Sequence, residues 1–335
     1  MTAMLKAMAD DPAPWHGFET EVELSRQRFA ELINASADQI AVLPTATVAA
    51  YQVATAQDWT RPQILATDED FPSISQLLQG QQSRGARLDY VPEPLSLDSW
   101  RESLSGRTGL VSVPLVTYQH GACMPVAELC RLAAAAGART FVDAYQGAGV
   151  LPIDVRELEC DYLVAGASKY LLGLPGVAFL YCREPGAVTR LPELTGWMGR
   201  VPPNNFNPRC VEVADTARRF EIGTPAIPAV LAVGAGMRLL NEVGVPKVYE
   251  HVSRLRERLA EGAVALGLPL VGFRSDRPHG AHLAFAMPEP DATAERLAAQ
   301  GVSVSPRGGV VRVAMHLYNT DADIDRVLEC LAAQR

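Results

Sequence analysis

The sequence lacks the marks of a membrane protein, a nucleic-acid-binding protein and a secreted protein. None of its apolar runs approaches the roughly 20 residues that a membrane-spanning helix needs, and the N-terminus carries no signal-peptide pattern, so we expect a cytoplasmic chain. Its 30 Lys and Arg against 38 Asp and Glu leave a net charge of −8, without a polybasic run. That balance offers no electrostatic footprint for nucleic acid or an anionic membrane. A small molecule is the expected partner.

The cysteines and histidines lack the spacing of a disulfide framework or a metal site. The 6 cysteines of the 335-residue chain form no CxxC or zinc-like Cys/His pattern, and a chain of this size needs no disulfides, so we expect reduced thiols. His279 and His282 have no third ligand near them in the sequence, and we interpret them as a turn histidine and a strand histidine rather than metal ligands.

The composition and the apolar pattern predict an α/β protein. Hydrophobic residues make up 48% of the chain and charged residues 20%, which suits a large core. Between about residues 20 and 185, helical patterns alternate with short apolar segments, which predicts a mostly parallel seven-stranded sheet between helices. A Pro/Asn/Arg-rich loop over 196–225 precedes a smaller α/β unit. We therefore expect a large domain over 20–228 and a small C-terminal domain that consists of 229–335 together with 1–19. The seven predicted strands are Ile40–Leu43, Gln63–Thr67, Arg87–Val91, Gly109–Leu115, Arg139–Val142, Tyr162–Ala165 and Val177–Tyr181.

Polar residues follow two neighbouring strands of this predicted sheet. Asp143 comes directly after one strand, and Ser168 and Lys169 follow the next. Ligands of open α/β sheets bind at the carboxyl ends of the strands. An amine beside a buried carboxylate suits a lysine that forms a Schiff base with pyridoxal phosphate, the acid being paired with the pyridinium nitrogen. An ordinary salt bridge at the strand ends explains a lone Asp/Lys pair equally well, so the surrounding motifs decide.

Those motifs resemble the class V aminotransferase and cysteine desulfurase-like family of fold-type-I pyridoxal-phosphate enzymes. The resemblance rests on the Asp143–Gln146 motif (Asp-Ala-Tyr-Gln), the Ser-Lys-Tyr motif at Ser168 and the separation 169 − 143 = 26, and it runs over nearly the whole chain. It implies pyridoxal 5'-phosphate as cofactor. It also implies that Asp143 pairs with the pyridine nitrogen, that Gln146 donates to the ring 3'-oxygen and that Lys169 holds the cofactor and moves the α-proton. Ser168 would belong to the same cofactor site.

Further motifs agree with the family in order and spacing. Ala46 and Thr47 follow a strand and open a helix, where the family has its phosphate loop and where helix N-terminal N–H groups suit a phosphate. Phe71, in Asp-Phe-Pro-Ser, would stack on the cofactor ring. Thr117 falls where relatives place a residue near the 3'-oxygen. Taken without the resemblance, a helix N-cap threonine and a core phenylalanine explain the first two motifs as well.

The resemblance also assigns substrate and subunit contacts. Gly223 and Thr224, in Arg-Phe-Glu-Ile-Gly-Thr-Pro, match a signature in which one subunit donates to the phosphate of its neighbour, which implies a homodimer with shared active sites. Arg312 interrupts an apolar run at the position of the family's arginine for the substrate α-carboxylate, a task that suits the bidentate guanidinium. Arg307 and His316 are candidate second contacts.

The sequence departs from cysteine desulfurases at the cysteine that takes up sulfur. No cysteine lies between Cys210 and Cys330, and Ser303–Arg307 occupies one of its two usual positions. This argues against a persulfide-forming desulfurase, although a lyase that releases a small sulfur species needs no such cysteine. Relatives also carry a longer N-terminal segment over the substrate site, so we expect either a truncated chain or a more open pocket.

The chemistry left open is the fate of the substrate after loss of the α-proton. We rank first a β-lyase that cleaves the C–S or C–Se bond of a small amino acid, followed by a class V aminotransferase or an amino-acid epimerase. A non-catalytic sensor that binds pyridoxal phosphate or an amino acid is the alternative from another class. A nicotinamide-dependent oxidoreductase is disfavoured, because the segment from Val42 lacks the glycine fingerprint and Gly234 and Gly236 lie inside a helical pattern.

Overall fold

The computed structural model describes residues 2–11, 14–202, 207–209 and 211–334. Its larger sheet consists of β1 (Ile40–Leu43), β2 (Gln63–Ala66), β3 (Arg87–Tyr90), β4 (Thr108–Pro114), β5 (Arg139–Asp143), β6 (Tyr162–Gly166) and β7 (Ala178–Cys182). The strand order is β1-β7-β6-β5-β4-β2-β3, and β7 runs antiparallel to the other six strands. The prediction of a mostly parallel seven-stranded sheet is thereby confirmed.

Helices cover this sheet because its central strands are apolar on both faces and every residue of β5 after Arg139 is buried. Within the described part of the chain the helices are α1 (Thr2–Asp10), α2 (Trp15–Leu32), α3 (Ala46–Thr55), α4 (Pro72–Gly80), α5 (Leu97–Ser103), α6 (Val126–Ala135), α7 (Val155–Leu158), α8 (Ile227–Val243), α9 (Val245–Ala265), α10 (Pro290–Ala298) and α11 (Asp321–Ala332). None of the helices in those described ranges is long and apolar enough to cross a membrane.

The C-terminal region forms a second, antiparallel sheet. Its strands are β8 (Leu270–Val271), β9 (His282–Ala286), β10 (Ser305–Arg307) and β11 (Val310–Ala314), in the order β10-β11-β9-β8. The apolar pattern predicts a strand over Val302–Ser305, whereas β10 spans Ser305–Arg307. Gly308 and Gly309 have φ values of +52° and +87° and form a two-residue hairpin in which Arg307 faces Val310, so the residues that pair with β11 are those next to this turn.

Helix α8 packs on both α2 and the loop that follows β6. A Cβ on Gly236 would lie 2.2 Å from the carbonyl oxygen of Leu171, and one on Gly234 would lie 2.9 Å from Ser25 Oγ. These glycines are therefore close-packing positions of a helix and not part of a dinucleotide fingerprint. The predicted domain boundary at 228–229 falls in the first turn of α8 and stays a prediction.

A buried ion pair joins α2 to the segment that leads to Gly223. Arg26 donates to Glu221 Oε1 at 2.7 Å, and the same oxygen accepts from the backbone N–H of Val42 in β1 at 2.8 Å. The side chains of Arg26 and Glu221 are each only 3% exposed, so the pair is shielded from water. The position of the 217–223 segment is thereby tied to the edge of the larger sheet.

Candidate active site

Two adjoining cavities lie at the carboxyl ends of β1, β5 and β6. The Asp143 cavity has a volume of about 290 Å³ and is lined by Ala46, Thr47, Phe71, Asp143, Tyr145 and Gly176, among others. The Arg312 cavity has a volume of about 360 Å³ and is lined by Ser168, His282, Arg307, Arg312, His316 and Tyr318, among others. Gln146 and Lys169 line both cavities. A larger open groove of about 1020 Å³ borders the Asp143 cavity at Glu69 but contains no lysine.

One end of the Asp143 cavity is the N-terminus of α3. Thr45 caps this helix, its hydroxyl accepting from the N–H of Val48 at 3.1 Å and its carbonyl accepting from Ala49 at 3.0 Å. The N–H groups of Ala46 and Thr47 have no acceptor within the helix. Because both residues line the cavity, this end can bind a phosphate or another anion.

Asp143 supplies a buried carboxylate to the same cavity. It ends β5, is only 7% exposed and accepts a hydrogen bond at Oδ1 from the N–H of Tyr145 at 2.9 Å. Burial raises the pKa of Asp143, while the Tyr145 hydrogen bond and nearby Lys169 oppose that rise. A carboxyl group in this environment gains from a cationic partner inside the cavity.

Lys169 follows β6 and lies between two aromatic rings. Its Nζ is 4.6 Å from the ring centroid of Tyr145 and 5.7 Å from that of Phe71. The Tyr145 ring fits because residue 166 is glycine, where a Cβ would lie 2.1 Å from the ring. The Tyr145 hydroxyl is 2.9 Å from Ser168 Oγ, a hydrogen bond that fixes the ring beside the lysine.

The surroundings of Lys169 make its amine easier to deprotonate. Although the side chain is accessible from both cavities, the protein around it removes water from the ammonium and lowers its pKa to about 8. Asp143 opposes this shift, and the positive charges of Arg312 and Arg307 add to it. The neutral amine that a general base needs is therefore present near pH 7.

The Arg312 cavity holds a fixed guanidinium. Arg312 lies in the middle of β11 and donates from Nη1 to the carbonyl oxygen of Tyr118, while its Nε is buried without a partner among the described residues. Burial and the charge of Arg307 lower its pKa. The ring of His316 is fully used, since Nδ1 accepts from Leu317 at 2.7 Å and Nε2 lies 3.0 Å from the Tyr170 carbonyl. Arg307 and Arg312 remain available to a ligand.

Not every predicted residue reaches the cavities. Thr117 is buried and lines neither of them, and its hydroxyl accepts from the N–H of Ala122 at 3.1 Å. Gly223 and Thr224 are exposed outside both cavities, and their predicted role in a neighbouring subunit stays a prediction. Predicted residues that do line a cavity are Ala46, Thr47, Phe71, Asp143, Gln146, Ser168, Lys169 and Arg312.

The described cysteines lie outside both cavities. None of the described cysteines lines either cavity, and those five form no disulfide; the sixth, Cys210, lies outside the described residues. Burial raises the pKa of Cys123 to about 12 and that of Cys130 to about 11, so neither is a ready nucleophile.

The sequence motifs do not identify several residues that line the two cavities. Tyr145 lies between two predicted residues, but its side-chain direction depends on the turn that follows β5. Tyr118 contacts Phe71 edge-on, with 5.4 Å between centroids, and holds Arg312 through its carbonyl. His282 is only 1% exposed and reaches the Arg312 cavity because it lies opposite Ala314 in the β9–β11 register. A histidine in the strand that pairs with the strand of Arg312 is the sequence signal that could have identified it.

The residues of the Asp143 cavity fit pyridoxal phosphate. Free helix N–H groups lie at one end, a buried carboxylate with a raised pKa lies in the wall, and Phe71 and Tyr145 flank the lysine between them. The cofactor's phosphate, pyridinium nitrogen and ring match these three features, and its aldehyde matches the amine.

Comparisons with known proteins agree with this fit. A family profile described as "Aminotransferase class-V" matches residues 16–327. The chain is 34% identical to "Uncharacterized aminotransferase YcbU" of Bacillus subtilis (strain 168), over 96% of this chain and 85% of that protein. It is 29% identical to a "Probable cysteine desulfurase" of Synechocystis sp., over 93% of this chain and 80% of that protein. The solved cystine C-S lyase C-DES, in complex with its product cysteine persulfide, shares the fold at a TM-score of 0.90 and 23% identity, over 99% of this chain and 92% of that chain.

Proposed function

Because this chain belongs to the aminotransferase class V family of pyridoxal-phosphate enzymes, we propose that it is a β-lyase that cleaves the C–S or C–Se bond of a small amino acid. The observation that carries the proposal is the position of Lys169, which borders both the Asp143 cavity and the Arg312 cavity. A base at this boundary can reach a substrate carbon held between the two cavities.

The Asp143 cavity would hold the cofactor. Pyridoxal phosphate, when bound, supplies an aldehyde that captures the substrate amine and a ring that withdraws electrons from Cα. The N–H groups of Ala46 and Thr47 would bind its phosphate, and Asp143 would keep a proton on its ring nitrogen. Phe71 and Tyr145 would limit the movement of the ring.

The Arg312 cavity would hold the substrate. Arg312 would bind the α-carboxylate through two N–H groups, and its bond to the Tyr118 carbonyl keeps the guanidinium oriented before the substrate arrives. Lys169, with a pKa of about 8, would remove the Cα proton as general base.

The distribution of cysteines favours release of the sulfur species over its transfer to the protein. In the reaction an S-substituted cysteine and water give pyruvate, ammonium and a thiol. Lys169 takes the Cα proton, the Cβ–S bond breaks with its electron pair on sulfur, and the thiolate takes up a proton. No described cysteine lines either cavity, and Cys330 is buried in α11. Direct release requires no protein thiol.

Transamination is the second candidate. The relative with 34% identity is named an aminotransferase, and the same lysine could return a proton to the cofactor instead of expelling a leaving group. Epimerisation needs return of the proton to Cα from the opposite face. These outcomes differ in their products.

A homodimer with shared active sites is part of the proposal. Gly223 and Thr224 are exposed, and the adjacent segment carries exposed apolar side chains, including Trp197, Val201 and Val211. Gly196 packs directly on the backbone of Ile222, which joins that segment to Gly223 and Thr224. A second copy could cover this surface and donate Thr224 to its neighbour's phosphate site.

The proposal is tested by the visible spectrum of the protein with pyridoxal phosphate beside that of Lys169→Ala, during titration with cysteine, cystine and alanine. A lysine-dependent band that one sulfur amino acid shifts, with release of pyruvate and ammonium, supports the β-lyase. Amino transfer to a keto acid without ammonium supports the aminotransferase, and racemised substrate alone supports the epimerase. A band indifferent to Lys169→Ala and to all amino acids would contradict catalysis and favour a sensor.

A further inference from the structure

The Arg312 cavity carries more positive charge than one carboxylate balances. Its described lining includes Lys169, Arg307 and Arg312 and no aspartate or glutamate. Two acids, Glu69 and Asp143, line the other cavity, and Asp143 interacts with Lys169. Two arginines are left for the ligand, whereas the α-carboxylate of an amino acid supplies one negative charge.

Nothing in the described protein neutralises these arginines. Neither forms an ion pair within 4.0 Å with any described acidic residue, although their mutual repulsion contributes to the lowered pKa of Arg312. The histidines add polar groups but no charge, because burial lowers the pKa of His282 to about 3. Arg307 is exposed to solvent and Arg312 is half-buried, and their two positive charges attract a ligand with two anionic groups more strongly than a ligand with one.

Arg307 is held at this position by the hairpin. It ends β10, opposite Val310 of β11, and the carbonyl of the next residue, Gly308, accepts a hydrogen bond from Gln119 at 2.8 Å. Tyr118, the neighbour of Gln119, holds Arg312 through its carbonyl. One loop therefore positions both the strand that carries Arg312 and the turn beside Arg307.

We propose that the substrate carries a second anionic group on its side chain, with Arg312 binding the α-carboxylate and Arg307 binding that second group. The inference rests on the proposed function and names its substrate class, namely amino acids whose sulfur substituent ends in a carboxylate or a comparable acid. Expulsion of such a substituent keeps its negative charge next to Arg307 while the Cβ–S bond breaks.

The test compares S-carboxymethyl-L-cysteine with S-carbamoylmethyl-L-cysteine, which replaces the distal carboxylate by an amide of nearly the same shape. With the holoenzyme we expect the kcat/KM for pyruvate release to be about 10-fold or more higher for the acid than for the amide. Arg307→Gln should bring this ratio close to one. Arg326→Gln, which alters an exposed arginine on α11 away from both cavities, should keep the ratio.

Binding without turnover gives a second readout. By titration calorimetry, succinate should bind the holoenzyme about 10-fold or more tightly than succinamate, and Arg307→Gln should remove the difference. Equal kcat/KM for the two cysteine derivatives, together with equal affinity for succinate and succinamate, would overturn the inference while leaving the β-lyase intact. Absence of pyruvate from both derivatives, with the succinate preference retained, would contradict the β-lyase and leave the second anionic subsite standing.

Discussion

At the scale of single residues, the site depends on ordinary side chains in unusual surroundings. The chain has three lysines, Lys6, Lys169 and Lys247, and of these only Lys169 lines the Asp143 and Arg312 cavities. Its amine is crowded by protein and by Arg312, which favours the neutral form. A pKa closer to physiological pH gives a larger neutral fraction, the form that proton removal from carbon requires.

The lowered pKa of Lys169 should appear in its rate of acylation. In cofactor-free protein, the reactive neutral amine should increase as the pH rises through about 8, and at pH 7 it should exceed that of an ordinary lysine by roughly 300-fold. Mass spectrometry of the modified peptides measures the rate, with Lys247 on α9 as an internal comparison. A midpoint for Lys169 near that of Lys247 would refute the crowded-amine interpretation.

Asp70 should make the cofactor-free protein less stable as the pH rises. It is 2% exposed, and burial raises its pKa from 3.8 to about 7, with Asp143 adding to the rise. The folded state therefore keeps the proton longer than the unfolded state, and stability falls between pH 4 and 7 and stays lower above. Asp70→Asn should lose less stability between pH 5 and 8, by about 2–3 kcal/mol in urea denaturation. Parallel pH profiles for the variant and the natural protein would show that Asp70 has no such role.

At the scale of elements, close packing of α8 fixes the loop that carries Lys169. Gly236 leaves no room for a methyl group against the Leu171 carbonyl, two residues after the lysine. The position of the loop therefore depends on the position of the helix.

Gly236→Ala should destabilise the protein and displace this loop. The added Cβ would meet the carbonyl oxygen at 2.2 Å, so we expect a loss of about 1–3 kcal/mol in urea denaturation and weaker retention of pyridoxal phosphate. Gly17→Ala is the matched control, because Gly17 lies in α2 with nothing within 4 Å of the new Cβ. It should gain roughly 0.4–1 kcal/mol. Equal effects of the two substitutions would rule out the packing argument.

At the scale of the whole molecule, sequence patterns predict what is local and miss what depends on three-dimensional pairing. Asp143 and Lys169 are predictable because each follows an apolar strand of a parallel sheet, whose carboxyl ends meet at one edge. The inward position of Tyr145 depends on the missing side chain of Gly166, which lies 21 positions later. His282 faces the Arg312 cavity only through the register of β9 with β11, which an apolar pattern does not specify.

The proposed dimer makes a prediction at this scale. If Thr224 completes the phosphate site of a second copy, Thr224→Ala should weaken pyridoxal-phosphate binding several-fold without changing the dimeric mass measured by light scattering. Thr216→Ala, on the same segment but not assigned to the cofactor, is the control. A monomeric mass for the natural protein, or unchanged cofactor affinity of Thr224→Ala, would contradict shared sites.

The antiparallel strand β7 also determines when the protein can first take up its cofactor during synthesis. Strand β1, which positions the first turn of α3, has β7 as its sheet partner, with Leu43 opposite Ala178, 178 − 43 = 135 residues later. A growing chain cannot close that pair until β7 has left the ribosome. The first turn of α3 is thus made early and anchored late, and we expect stable cofactor binding only after more than half of the polypeptide has been translated.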